Sequence, residues 1–390
     1  MYLEKINISE FRILRDIEIC FKTPVPEQTE GTETGNVINV IAGVNGCGKT
    51  SLLDVIFDNL IFDNLKPLPN FIFINNNVST TLSGFGKINY NNKHLLNGKI
   101  QHLIHENSEK LPPYDAPRII YLPSQQSFSY QPISQLTINY EFSKKIDTTT
   151  ILGNAEFYIK EYIINHERAS FEADPNKRTQ QAVDSFNAKF LNAQLLTKLS
   201  GLSKEQFNRP IFTNVAGQQV TIEQLSDGEK QLYARVIALM LLEPRNSIIL
   251  IDEPEIALHP AWQQKIMQIY GNIGKNNQFI VATHSPQILS SVPYQNRILL
   301  TKQDGKIQPI HLQQPPSGID INSILSEIMG ADPRPKELLD LYSQYRQFVE
   351  NRQENSEAAK KIKAELLSKE SEHSEFMQEM AFLIKLRDAV

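Results

Sequence analysis

Residues 37 to 57 constrain the fold more than any other stretch. An apolar run (Val37, Ile38, Val40, Ile41) leads into Gly43-Val44-Asn45-Gly46-Cys47-Gly48-Lys49-Thr50-Ser51, and Leu52, Leu53, Val55, Ile56 and Phe57 follow at helical spacing. Strand, glycine-rich loop and helix in that order form the context that a phosphate-binding loop requires. Gly43, Gly46 and Gly48 let successive backbone N–H groups turn inward around an anion, and a helix starting near Lys49 adds its positive end. Lys49 is placed to reach outer phosphates, and the Thr50 hydroxyl suits an oxygen-seeking Mg²⁺. Gly43, Asn45, Gly46, Gly48, Lys49, Thr50 and Ser51 are the candidate nucleotide-binding residues.

Two later strands end in chemistry of the same kind. Ile248-Ile249-Leu250-Ile251 runs into Asp252-Glu253-Pro254, and Phe279-Ile280-Val281-Ala282 runs into Thr283-His284-Ser285-Pro286. Strand-end residues that converge on one edge of an open sheet are where such folds place ligands. Asp252 is then positioned to support Mg²⁺, Glu253 to polarise an attacking water, and His284 to contact a terminal phosphate. Taken singly, an acidic strand end is an ordinary turn and a lone histidine an ordinary surface residue; the three in this order are not. Between them, Gln224-Leu225-Ser226-Asp227-Gly228-Glu229-Lys230-Gln231 opens a helix. The Ser226 hydroxyl, the Gly228 N–H and the helix dipole make a second anion cradle. Two cradles and one nucleotide fit a symmetric dimer, in which the cradle of one copy closes over the nucleotide held by the other.

The rest of the chain bounds this reading. Its 390 residues, 41% hydrophobic, suffice for a sizeable core, and a net charge of −5 advertises no global affinity for nucleic acid. The two cysteines, Cys20 and Cys47, one of them inside the loop, argue against a disulfide framework and fit a reducing cytosol. No apolar run approaches the ~20 residues of a membrane helix, so a cytoplasmic protein with no membrane partner is expected. Residues 2 to 22 alternate as two short strands leading into the sheet. A β-rich excursion is expected over about 70–115, with a hairpin turn at Asn97-Gly98, and a helical insert over about 154–208. The domain division expected is 1–335 and a charged helical tail, 336–390, of two helices with a polar stretch near 351–361 between them; Leu338, Leu341, Tyr345 and Phe348, then Ile362, Leu366, Phe376, Met380 and Leu383, form its apolar stripe.

On GVNGCGKT (43–50), LSDGEKQ (225–231), IILIDEPE (248–255), ALHP (257–260) and ATHSP (282–286), the chain resembles the ABC-type ATPase superfamily. The resemblance implies an α/β head, a mixed sheet with flanking helices, carrying a helical insert and a C-terminal helical tail. It also implies ATP and Mg²⁺ as cofactors and ATP-dependent dimerisation. By it, Lys49 and Thr50 bind phosphates and metal, Asp252 supports the metal, Glu253 is the base, His284 senses the γ-phosphate, and Ser226 and Gly228 act in trans. Gln125 or Gln126 occupies the place of a metal-contacting Q-loop glutamine, and Arg12, in Glu10-Phe11-Arg12, resembles a residue that approaches nucleotide in repair-type members.

LSDGEK with DEPE, LHP and THSP looks like the soluble SMC-, RecF- and OLD-like branch, whereas transporter subunits usually carry LSGGQ. Paired strand-end acids of an OLD-type nuclease are missing after residue 300. The layout of head, middle insert, "SIL…RP" linker and helical tail is similar to the ATPases of antiphage systems such as Septu, which work with a separately encoded HNH-type nuclease. That resemblance implies an ATPase regulating a nuclease subunit. The alternative is a DNA-repair or DNA-sensing ATPase that clamps duplex directly, with nucleic acid as its partner.

Overall fold

The computed structural model describes residues 2–24, 34–61, 78–83, 88–89, 118–124, 143–145, 155–190, 195, 197–203, 208–303, 305–311 and 334–388. They fall into two units, Met1–Ile324 and Leu325–Val390.

In the first unit, β1 (Tyr2–Phe11) and β2 (Leu14–Cys20) pair antiparallel, as their alternation of apolar and polar residues requires. β3 (Val37–Gly43) runs into α1 (Lys49–Ile61). β4 (Val78–Ser83) and β5 (Ile88–Asn89) extend the first hairpin into a sheet of order β2-β1-β4-β5. This sheet is separate from the central one, whereas residues 2 to 22 were expected to lead into it. β6 (Ile119–Leu122) and β7 (Ser143–Lys145) follow, then α2 (Ala155–Ala169) and α3 (Pro175–Ala188). Next, β8 (Thr197–Leu202), β9 (Pro210–Asn214) and β10 (Gln219–Val220) form a small antiparallel sheet.

Among the described residues, the expected helical insert over 154–208 is thus helical through Ala188 only. Thr197 and Leu199 are buried and Lys198 and Ser200 exposed, a period of two that pairs Thr197 with Asn214 and Leu199 with Phe212. The Asn97-Gly98 turn lies outside the described residues, as does most of the 70–115 excursion.

The unit closes with α4 (Asp227–Leu242), β11 (Ile248–Asp252), α5 (Pro260–Gln263), α6 (Ile266–Gly271), β12 (Gln278–Thr283), α7 (Pro286–Ser290), β13 (Arg297–Gln303) and β14 (Lys306–His311). Seven strands make the central sheet in the order β14-β13-β3-β12-β11-β6-β7, and every neighbouring pair is parallel except β13 and β14. All five residues of β11 and all six of β12 are buried, as expected of parallel strands covered on both faces. α1 has a wide apolar face, leaving Ser51, Asp54 and Asp58 on its remaining side, because it is covered twice. Leu52, Leu53, Ile56 and Phe57 share one core with Ile6, Ile8, Leu14 and Ile17 of the antiparallel sheet and with Leu250, Ile280 and Ala282 of the central sheet. The buried Gln278 side chain joins the two sheets, accepting from Leu3 N at 2.7 Å and donating to Leu3 O at 2.7 Å.

The second unit holds three helices, α8 (Lys336–Glu350), α9 (Glu357–Lys369) and α10 (Glu375–Asp388), where the sequence reading placed two with a polar stretch between. Leu341, Tyr342, Tyr345, Val349, Leu366, Phe376, Met377 and Met380 pack together, with the Tyr342 and Phe376 rings stacked 3.9 Å apart. The apolar stripe of the tail is therefore largely filled by the tail's own helices. Among the described residues, no helix is long and apolar enough to cross a membrane.

Candidate functional site

Register brings the functional residues to one edge of the central sheet. Asp252 of β11 stands opposite Ala282 of β12, and Ala282 opposite Ile41 of β3. The residues just past that row, Gly43 to Ser51, Glu253 and His284, therefore leave the sheet from the carboxyl ends of three adjacent parallel strands.

The loop after β3 is shaped by its glycines. Gly48 has φ +88°, and a Cβ there would meet Leu14 Cδ2 at 2.8 Å, so only glycine lets the turn lie this close under the β1–β2 hairpin. Gly43 ends β3, Asn45 and Gly46 form the turn, and Lys49, Thr50 and Ser51 open α1. The Lys49 ammonium is 4% exposed and donates to Gly43 O at 2.9 Å and Val44 O at 3.1 Å. Burial lowers its pKa, while the neighbouring Cys47, Glu253 and Glu255 act in the opposite sense.

Thr50 Oγ1 donates to the Asp252 carboxylate, at 3.2 Å to Oδ1 and 3.0 Å to Oδ2. Burial pushes the Asp252 carboxyl up to about 6; hydrogen bonds from Thr50 and Ser124 hold it down, and the charges of Glu253 and Asp54 add to the rise. This donor set fits Mg²⁺. A hydroxyl and a buried carboxylate are hard oxygen donors, a cation beside Asp252 would offset the cost of ionising it, and Mg²⁺ takes its remaining ligands from phosphates and water. A cage of protein ligands is not needed, and among the described residues no group of three or more His, Cys, Asp or Glu side chains forms one.

Glu253 leaves β11 with φ +45°, its N–H donating to Ala282 O at 2.9 Å. That turn carries its carboxylate to His284 Nε2, 3.3 Å away. Burial lowers the His284 pKa, the Lys49 charge lowers it further, and Glu253 opposes both. The His284 N–H donates to Glu255 Oε1 at 2.5 Å, and burial raises the Glu255 pKa. Glu253, His284 and Lys49 thus lie within electrostatic reach of one another.

Arg12, between β1 and β2 at φ +53°, reaches the first turns of α1: its Nη1 is 2.8 Å from Asp54 Oδ2 and 3.3 Å from Ser51 Oγ. Asp54 is in turn 3.2 Å from the Tyr121 hydroxyl. The sequence singled out Arg12 but not its anchor, whose signal was available: Asp54 lies one helical turn after Thr50. Gln125 and Gln126 fall outside the described residues.

Ser226 caps α4, its Oγ accepting from Glu229 N at 3.3 Å and donating to Glu229 Oε2 at 2.9 Å. The other Glu229 oxygen accepts from Thr197 Oγ1 of β8 at 2.7 Å, which ties the cap to the insert. Gly228 presses against the segment after β11: a Cβ there would lie 2.7 Å from Ala257 O and 3.1 Å from the Trp262 ring. Ser226 and Gly228, the residues expected to form the second cradle, thus both lie in the first turn of α4, held there by Glu229 and packed against the segment after β11.

Residues 113–290 match the family described as "AAA domain, putative AbiEii toxin, Type IV TA system". The chain is 35% identical over 162 residues to a Vibrio cholerae protein named Retron Vc95 probable ATPase, a match covering 38% of this chain and 31% of that protein. It is 30% identical over 228 residues to Retron Ec83 probable ATPase of Escherichia coli, covering 54% and 40%. Both matches span well under half of those relatives' own length. Septu protein PtuA of Bacillus thuringiensis is 22% identical over 328 residues, covering 76% of this chain and 79% of PtuA.

Proposed function

We propose that the first unit of this chain is an ATPase head of the SMC- and RecF-like ABC type, which binds ATP with Mg²⁺, hydrolyses it, and dimerises around it to regulate a separate effector. The observation that carries the reading is the convergence of Lys49, Thr50, Asp252, Glu253 and His284 beyond three adjacent parallel strands. Bound Mg²⁺ supplies charge neutralisation at the phosphates. Lys49 exchanges main-chain carbonyls for phosphate oxygens, which cost it less to face as an ammonium. Thr50 and Asp252 would hold the ion, and Glu253 is placed to take the proton of the attacking water. His284, its pKa lowered, is a neutral imidazole at pH 7 that donates or accepts at the terminal phosphate. Ser226 and Gly228 serve the partner copy's nucleotide.

The effector proposed is an HNH-type nuclease in antiphage defence. Similarity to a Septu protein along 76% of this chain, together with two retron ATPases, supports that choice over direct clamping of duplex DNA. Calorimetric titration tests the core of the reading: Lys49→Ala is expected to abolish ATP binding, because the phosphates lose their buried point charge. Unchanged affinity would remove its basis. Co-purification with the product of a neighbouring nuclease gene tests the effector.

A further inference from the structure

Beneath the strand ends lies a charged cluster that phosphate chemistry does not use. Arg235 sits in the middle of α4 and is 2% exposed, yet its Nη1 donates to Glu253 O at 3.2 Å while its Nε and Nη2 are enclosed without hydrogen-bond partners. Glu255 Oε2 and the Tyr270 hydroxyl are enclosed in the same way. Burial pushes the Tyr270 phenol up to about 12; Arg235 lies near enough to oppose that rise, though not in hydrogen-bonding geometry with the hydroxyl, and the Glu255 charge adds to it. A buried guanidinium this sparsely paired is costly. A methionine would fill the space without that cost, but it could not donate to Glu253.

That donation matters because the Glu253 backbone is in the left-handed region, a conformation that persists only where the surroundings hold it. Its N–H is held by Ala282 O, and its carbonyl accepts from Arg235 Nη1 and from Ile256 N at 3.3 Å. Two residues on, Glu255 holds the amide of His284, whose ring meets the Glu253 carboxylate. The contacts run in a ring: α4 to the Glu253 backbone, Glu253 carboxylate to the His284 ring, His284 amide to Glu255, and, through charge alone, Glu255 back to Tyr270 near Arg235.

We propose that Arg235 and Glu255 are positioning residues: acting through the Glu253 carbonyl and the His284 amide, they hold base and imidazole in register with the helix that bears Ser226 and Gly228. The proposal deepens the hydrolytic reading and rests on it.

The test uses the full chain. Arg235→Met removes the donor and Arg235→Lys keeps a cationic one; Glu255→Ala removes the acceptor and Glu255→Gln keeps one. Displacing a catalytic group by about 1 Å costs about 100-fold, so kcat is expected to fall by that order in the Met and Ala variants. KM and ATP affinity should stay within about threefold of the unmodified chain, and the conservative variants should recover about tenfold of the loss. Because both residues hold one pair, the Arg235→Met, Glu255→Ala double variant should lose little more than the worse single one.

The readout without turnover is the His284 imidazole resonance in histidine-labelled, nucleotide-free protein, assigned by its disappearance in His284→Gln. It should move in Arg235→Met and Glu255→Ala, and less in Glu255→Gln. Parallel loss of affinity, turnover and melting temperature with no rescue overturns the proposal, as does a His284 resonance unmoved by Glu255→Ala. The Glu255 pair decides the matter if Arg235→Met fails to fold. An unmodified chain without ATP turnover would sink the hydrolytic reading alone, since the resonance still reports the positioning.

Discussion

Asp252 makes the site's charge balance measurable. Its folded pKa, about 6, lies above the ordinary value of 3.8. Between those values the folded chain holds a proton that the unfolded chain has released, so this group's contribution to stability is fully present below 3.8 and is lost as pH rises toward 6. Asp252→Asn escapes the loss. Its melting temperature relative to the unmodified chain is expected to climb as pH rises from 4 to 7 without nucleotide, by no more than a few kcal/mol equivalent; a pH-independent difference would contradict the burial argument. A second expectation belongs to Arg12, whose half-exposed pair with Asp54 contributes little to stability. Arg12→Ala should leave melting nearly unchanged, and calorimetry should show ATP affinity reduced about tenfold or more, the scale of one charge-assisted hydrogen bond. Equal affinity would assign Arg12 to the α1 surface only.

At the scale of elements, substitution separates the α4 cap that Ser226 provides from the trans cradle proposed for it. Ser226→Ala removes the cap of α4, a loss of about 1 kcal/mol, but leaves the cradle open. Ser226→Arg fills the cradle with bulk and positive charge. Light scattering of Glu253→Gln protein, which keeps the reach of the side chain but loses the base, is expected to show ATP-dependent dimers that survive Ser226→Ala and vanish with Ser226→Arg; dimers that survive both would exclude action in trans. Elements whose burial is written locally were legible: β11 and β12 are unbroken apolar runs, and the phosphate loop carries its own glycines. β8 was not, because Leu195 continued the spacing of Phe186 and Phe190 while the alternation starting at Thr197 gains meaning only against β9. The break between α9 and α10 was not legible either, because Ile362 and Leu366 of α9 and Phe376 and Met380 of α10 read as one stripe across Glu370–Ser374. Arg235 and Glu255 were unreadable for a different reason: that a charge is buried, and against what, is decided by tertiary packing.

For the molecule as a whole, the second unit has its own core, and every site residue assigned here precedes residue 285. A chain cut after Pro335 is expected to bind ATP with unchanged affinity; if the helices recruit the effector, it should also lose nuclease co-purification and, in cells, protection against phage. Phe382, 62% exposed, and Leu386, 53% exposed, are where such docking would be probed. Retained partner binding by a well-folded truncated chain would move the recruiting surface to the head. The order of the central sheet also has a consequence for birth on the ribosome. β3, which carries the phosphate loop, takes its neighbours from residues 278–283 on one side and 297–303 on the other. At synthesis rates of ~5–20 residues per second, the strand therefore waits roughly tens of seconds for either partner. Throughout that interval the nascent chain displays an unpaired apolar strand beside a finished glycine loop, a natural client for a chaperone and a poor binder of nucleotide.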